Sequence, residues 1–336
     1  MIEHNLSLED VKLITEQALI GAGTNEENAK SVARSTVLAE RDGIRSHGLM
    51  YVPIYAEHVQ CGKVDGNAQP VVSSKRKGAI TVDAKHGFAH PAIDAGWSAL
   101  VEATKEVGIA ALTIHNSYNC GVLGHHSQRI AEEGFVGLCF THAPASIAPI
   151  GAKTAVIGTN PFGFSVPDGN GGVALSIDQS ASAVAKSEIL MRSRTGESIE
   201  EGWALDQNGN PTTDANEALK GSMVPSGGYK GFGVGLMVEV LASCLAGAVL
   251  SKEASPFSGT QGGPPSTGQC FIAFDPSAFS NQGFAKQINS LVDSIESQEG
   301  AHLPGSKGKR NRLETETRGV VVTDDLLVRI RTFIGT

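Results

Sequence analysis

Apolar residues recur at helical spacing from the start of the chain. Ser7 and Asp10 form a capping box, and Val11, Ile14 and Ala18 then share one face until Gly21 and Gly23 stop the run. Thr24 with Glu27 predicts a second box, followed by a stripe of Ala29, Val32, Thr36 and Ala39. After the polar stretch RDGIRSHGL, the segment VPIYAEHVQCGKV predicts a third helix ending near Gly62. Residues 1–75 therefore read as a helical lobe. From Lys77 onward the pattern changes. AITVDA, IAALTI, VGLCFT and GVALSID are β-rich runs bounded by glycine and polar residues. PAIDAGWSALVEATKEV and HSQRIAEEG keep helical spacing between them, so residues 76–336 predict an α/β region with helices packed on a sheet. GFGVGLMVEVLASCLAGAVL, after Lys230, is apolar enough to suggest a membrane helix. It holds Glu239 and many small residues and lacks a basic far flank, so a buried helix is expected. SKEASPFSGTQGGPPSTGQ predicts a long loop, CFIAFDP a strand and FAKQINSLVDSIESQ a last clear helix.

Composition then narrows the partners. A net charge of −8 with few aromatics argues against nucleic acid, because phosphate binding needs a basic surface. The remaining apolar runs fall short of the roughly 20 residues that a membrane helix requires, and MIEHNLSLEDV lacks the layout of a signal peptide. Cys61, Cys120, Cys139, Cys244 and Cys270 are scattered without a CxxC pair. That suits reduced thiols in the cytoplasm, not a disulfide frame or a zinc site.

Several short stretches carry candidate chemistry. GYKGFGVGLM has its glycines as G-x-G-x-G after a Pro-Ser-Gly-Gly loop, not the G-x-G-x-x-G that follows a strand in a Rossmann turn. Lys230 at this helix start is either an anion contact or a solvated lysine. In NSYNCGVLGHHSQRIAEEG a glycine-bearing loop, Asn119 to Leu123, lets backbone approach a ligand. His125 and His126 point about 100° apart on a helix and have no spaced acidic or thiol partner, so no metal is expected. Asp178 ends a strand, and Lys186 and Glu188 form either a surface ion pair or a charge set for a substrate. His47 beside Ser46 is either a loop histidine or a proton donor; its side-chain type, with a pKa of about 6.5, suits proton transfer near neutrality.

The motifs RDGIRSHGL, GKVDG, VDAKHGFAHPA, GTNPFGFSVP, EGWALDQNGNPTTD, GGYKGFGVGLMVE and LPG occur in this order along nearly the whole chain. In that order the chain resembles the type 2 malate/L-lactate dehydrogenase family, NAD(P)-dependent oxidoreductases that are not Rossmann proteins. It is most similar to the branch that reduces Δ1-piperideine-2-carboxylate and Δ1-pyrroline-2-carboxylate. The resemblance implies a non-Rossmann fold: a helical N-terminal lobe joined by part of the C-terminal region, a cofactor- and substrate-binding region on a mixed, largely antiparallel sheet, and a homodimer. It also implies site roles. His47 matches the proton donor, Ser46 its relay partner, and Glu188 the acid that completes the relay. Thr159, Lys186 and Ser187 match substrate contacts. Asn119, Cys120, Gly121, Val122 and Leu123 match cofactor contacts, as do Asp178, Gln179, Ser180, Tyr229 and Lys230. So does the loop of Gly305, Ser306, Lys307, Gly308, Lys309, Arg310 and Asn311.

Two positions depart from the family pattern. Tyr51 stands where an arginine usually clamps the substrate carboxylate, which leaves Arg45 or Lys186 for that task. Asn119–Cys120 replaces the usual His-Phe of the first cofactor loop. A cyclic 2-imino acid is the expected substrate, because an acidic Glu188 favours an iminium and repels the second carboxylate of malate. Lys307, Lys309 and Arg310 favour NADPH, with NADH also possible. Two alternatives remain: a 2-hydroxy acid dehydrogenase on malate, lactate, sulfolactate or ureidoglycolate, and a non-catalytic cofactor-binding protein.

Overall fold

The computed structural model describes residues 2–280 and 283–335. Its first strand, β1 (Glu3–Leu6), leads into helices α1 (Leu8–Gly21) and α2 (Glu26–Arg41). Two short 3-10 turns, Arg45–His47 and Leu49–Tyr51, join them to α3 (Val52–Gln60). Ser7 caps α1 through the expected box with Asp10. The cap of α2 is not Thr24 but Asn25, whose side chain accepts from the Asn28 amide. The asparagine amide oxygen one residue later accepts from one of the otherwise unpaired donors of the first turn.

The sheet begins with β2 (Val71–Arg76) and β3 (Ala79–Asp83). Helix α4 (Ala89–Val107) crosses to β4 (Ile109–Ser117), and α5 (Leu123–Glu132) to β5 (Val136–Thr141). Next come β6 (Phe162–Pro167) and β7 (Val173–Gln179). A smaller unit holds α6 (Lys186–Thr195), β8 (Ala204–Leu205), β9 (Pro211–Thr212), α7 (Ala215–Lys220) and β10 (Ser222–Met223). After it, α8 (Tyr229–Glu239) runs into a π-helical turn, Val240–Cys244, and a long loop leads to β11 (Thr267–Phe274). The chain closes with α9 (Pro276–Phe279), α10 (Phe284–Glu296), α11 (Ser306–Arg318), β12 (Val320–Thr323) and α12 (Asp324–Arg331).

The main sheet has seven strands in the order β2-β3-β4-β11-β5-β6-β7. Only β3 and β4 run parallel, joined through α4; every other neighbouring pair is antiparallel. The fold is therefore a mixed α/β fold. Its core lies between α4, α5 and the sheet, where Ile80, Val82, Ile93, Leu100, Leu112, Ile114 and Phe271 are buried. Full burial of side chains of this size contributes about 1.5–3 kcal/mol each. A second cluster, with Ile147, Ile157, Ile189, Ile199 and Met223, organises the smaller unit around α6 and α7. The chain ends meet: β1 pairs antiparallel with β12, and Val11, Leu49 and Val52 pack on Val320, Val322, Leu327 and Ile330.

Two expectations change. The segment after Lys230 is not a uniformly buried helix. Gly235, Val238 and Ala242 are buried, while Leu236, Met237, Val240 and Leu245 are exposed on the other side. Residues 306–311 are not a loop but the first turns of α11. The long loop after Leu250 is fastened instead by Lys63, fully buried, whose Nζ donates to the carbonyls of Pro256, Gly259 and Gln261. Among the described residues no helix is long and apolar enough to cross a membrane.

Candidate active site

The strand register gathers candidate residues at one edge of the sheet. β4 and β5 both flank β11 antiparallel, so their C-terminal ends lie together, and Phe162 at the start of β6 pairs with Phe140 and with Gln179. Loop 118–122, the Thr159–Asn160 turn and the Asp178–Ser180 strand end leave from that same edge. Thr159 is tied there by its carbonyl, which accepts from the Ala181 amide at 2.8 Å.

Asn119 Oδ1 accepts from the Gly121 amide at 2.7 Å and folds the loop into an Asx turn. Gly121 has φ +71, and a Cβ there would lie 2.6 Å from Ser35 Oγ, so only glycine fits. At the start of α5, Asp178 Oδ2 accepts from the Gly124 amide at 2.8 Å. A carboxylate at a helix N-terminus is favourable because unpaired amides and the helix dipole point at it. His125 and His126 are separately engaged: Nε2 of His125 meets Asp42 at 3.2 Å and Nε2 of His126 meets the Cys120 carbonyl at 2.8 Å. Nδ1 of His125 is buried without a partner. Among the described residues no cluster of His, Cys, Asp or Glu is arranged to hold a metal ion.

Helix α3, which follows the Ser46–His47 turn, reaches this loop through the Tyr55 hydroxyl, which donates to Asn119 Oδ1 at 3.5 Å. Ser46 Oγ sits 3.1 Å from His47 Nδ1, which leaves Nε2 as the ring nitrogen that can exchange a proton with a ligand. The buried carboxylate of Glu40 fixes the next residues by accepting from the Leu49 amide at 2.7 Å; burial raises its pKa. Tyr51 lies parallel to the His47 ring with centroids 6.4 Å apart, and burial raises its phenol pKa. Desolvation, and then the charge of His125, lower the His47 pKa from the usual 6.5 to about 4. At neutral pH this imidazole is uncharged.

The remaining predicted residues divide. The Gly305 N-cap of α11 packs on Ser176 of β7, and Lys309 Nζ donates to the Val173 carbonyl at 2.9 Å. Asn311 Nδ2 reaches the Asp42 carbonyl at 3.0 Å, which brings α11 to the His47 turn. Asn160, buried with φ +38, donates to the Gly235 carbonyl (2.9 Å) and to Glu239 (2.8 Å), locking its turn to α8. Tyr229 and Lys230 open α8, which has no side-chain cap, so its first amides stay available to an anion. Lys186, Ser187 and Glu188 open α6. The Lys186–Glu188 pair does not form: Glu188 Oε1 takes Arg192 Nε at 3.0 Å, one helical turn on. Arg192 is also held by the Ser198 carbonyl and lies over the Trp203 ring. Among the described residues no hydrogen bond or ion pair joins Glu188 to His47. Sequence reasoning missed Asp42, Glu239, Arg192 and Arg312, and considered His125 only as a metal ligand. Of these, only Arg192 carried a visible signal, its four-residue spacing from Glu188.

Residues 6–331 match the family model described as malate/L-lactate dehydrogenase. The chain is thus an oxidoreductase of mixed α/β fold. It belongs to the malate/L-lactate dehydrogenase family. It is 37% identical over 329 residues to the Δ1-pyrroline-2-carboxylate reductase of Ancylobacter novellus, covering 97% of this chain and 96% of that one. It is 40% identical over 324 residues to the (2R)-3-sulfolactate dehydrogenase (NADP+) of Chromohalobacter salexigens, covering 96% of both. The crystal structure of Δ1-piperideine-2-carboxylate reductase from Pseudomonas syringae superposes with a TM-score of 0.93 at 31% identity, over 98% of this chain and 99% of that one.

The depressed His47 pKa has a measurable consequence. In the ligand-free protein the imidazole should titrate by NMR with a midpoint near the value of about 4, not 6.5. Because the folded value lies below the unfolded one, this group's share of stability is complete above pH 6.5 and is lost as pH falls toward 4. A midpoint near 6.5 would contradict this environment.

Proposed function

We propose that the protein reduces a cyclic 2-imino acid with NADPH, NADH also being accepted: Δ1-pyrroline-2-carboxylate to L-proline, or its six-membered homologue to L-pipecolate. The observation that carries this reading is the likeness, over nearly the whole chain, to Δ1-pyrroline-2-carboxylate and Δ1-piperideine-2-carboxylate reductases, and the lowered proton affinity of His47 agrees with it. A 2-oxo acid needs a proton delivered to its oxygen as C2 is reduced, and a neutral imidazole is a poor donor. A cyclic imine binds as the iminium and brings its proton with it. The names of the similar reductases from Ancylobacter and Pseudomonas support the same reading.

In this account His47 Nε2 faces the ring nitrogen and manages its proton, and Ser46 holds the tautomer through Nδ1. Tyr51, Thr159, Lys186 and Ser187 orient the single carboxylate. Glu188 supplies negative charge for the iminium, with one oxygen already shared with Arg192. The glycine cradle at Gly121, the uncapped start of α8 and the buried unpaired His125 Nδ1 fit a nucleotide cofactor. Asn119 to Leu123, Asp178 to Ser180, Tyr229, Lys230 and the Gly305–Asn311 segment would hold it. When bound, it supplies the hydride that reaches C2. Lys309 is already turned to Val173, so Lys307 and Arg310 are left for the 2′-phosphate of NADPH. The non-Rossmann assignment rests on the antiparallel pairings around β11. We place the enzyme in the cytoplasm, on its free cysteines, and as a homodimer through the exposed apolar side of α8 and the π turn. A second reading, a 2-hydroxy acid dehydrogenase, is favoured by the sulfolactate dehydrogenase likeness.

Side-by-side rates with NADPH test the substrate. The cyclic imines should exceed pyruvate, oxaloacetate and sulfopyruvate at least tenfold, and Glu188→Gln should slow imine reduction more than oxo-acid reduction. Dominant oxo-acid turnover with Glu188→Gln indifferent would establish the second reading instead. Light scattering should return twice the chain mass, and a monomer would rule out the dimer.

A further inference from the structure

Asp42 follows the last turn of α2, and only 4% of its side chain is exposed. A buried carboxylate is costly unless both oxygens are well partnered. Oδ1 accepts from Arg41 Nε at 2.9 Å and from Arg312 Nε at 3.1 Å. Oδ2 accepts from the second prong of Arg312 at 2.9 Å and meets His125 Nε2 at 3.2 Å. Arg312 thus grips it two-pronged, the geometry that makes such pairs both strong and directional. The Asp42 carbonyl adds the bond from Asn311. These cations and donors outweigh desolvation and hold the carboxyl far below its usual range.

The partners come from three different places. Asp42 itself lies five residues before His47, in the turn that carries it. His125 lies in the first turn of α5, beside the Gly124 amide, and Arg312 lies in α11, next to the segment opening at Gly305. One buried carboxylate therefore ties the acid–base turn to both segments proposed to hold the nucleotide. The tie is short, and it also fixes His125, the neighbour that bears on the His47 ring.

We infer that Asp42 is a positioning residue that sets the nucleotide seat and His47 in register through its Arg312 fork. The inference rests on the proposed cofactor segments. Its test combines NADPH dissociation constants, read by fluorescence of the reduced nucleotide, with steady-state kinetics on the whole protein. Asp42→Asn and Arg312→Lys should each raise the NADPH Kd and lower kcat at saturating NADPH about tenfold or more, since small misplacements of a reacting group are costly. Lysine keeps the charge but not the fork, so Arg312→Lys should not rescue. The double variant should be no worse than the stronger single, because both break one link. If Asp42→Asn fails to fold, Arg312→Lys alone carries the comparison. Wild-type Kd and kcat in the variants, with only Tm lowered, overturn this inference alone. Losses that multiply in the double variant also overturn it. A wild-type protein that binds neither NADPH nor NADH overturns it together with the proposed function.

Discussion

The insertion of β11 between β4 and β5 is the constraint on which the rest of the structure depends. β11 arrives some 150 residues after the Ser117 end of β4, as the Ser117–Thr267 contact shows. It is buried along almost its whole length, with both edges paired antiparallel. Because it separates them, β4 and β5 point the same way without touching. Their C-terminal ends, the start of β6 and the end of β7 therefore converge on one edge. A parallel sheet would reach a similar convergence through helix crossovers; here a single long-range strand does it. Backbone amides and glycines then meet at one rim, where a nucleotide is proposed to sit.

Charge placement around that rim follows from burial. Asp42 remains ionised because two arginines and a histidine surround it, whereas His47, five residues away, is held neutral by desolvation and by His125. Both pKa values on this turn are thus lowered, but for different reasons: cationic and hydrogen-bonding partners keep Asp42 charged, whereas desolvation keeps His47 neutral. Glu188 is balanced differently, sharing an oxygen with Arg192, and Arg192 is fixed against Trp203 and Ser198. A cationic ring nitrogen of the proposed substrate would find an acceptor there that is already partly balanced by Arg192. In the proposed chemistry the charge to be stabilised is on the substrate, and the protein supplies one neutral base and one anion.

Much of this was legible along the chain. Capped helices such as α1 and β-branched strands such as β3 and β4 carry local signals that their packing then satisfies. The misplaced cap at Thr24 is a local error, because Thr24 and Asn25 are adjacent acceptors and only backbone geometry separates them. Helix α11 was hidden for another reason. None of its residues is buried, so SKGKRNRLETETR shows no apolar stripe, and its glycine and lysine run resembles a loop. The four-residue strands β1 and β12 are too short to announce a pairing between the two ends of the chain. Asp42 could not be singled out at all: beyond the adjacent Arg41 its side-chain partners lie 83 and 270 positions away, and a lone aspartate after a helix looks like any cap.

The central claim, hydride delivery to the carbon of a cyclic imine, is most directly tested by isotope transfer. The protein would be incubated with NADPH deuterated at the transferable C4 position of the nicotinamide and with Δ1-pyrroline-2-carboxylate or its six-membered homologue, and the product examined by mass spectrometry and chiral separation. The account predicts one deuterium at C2 of L-proline or L-pipecolate. Imines returned unreduced, while the same cofactor labels C2 of a 2-hydroxy acid from pyruvate or sulfopyruvate, would contradict it.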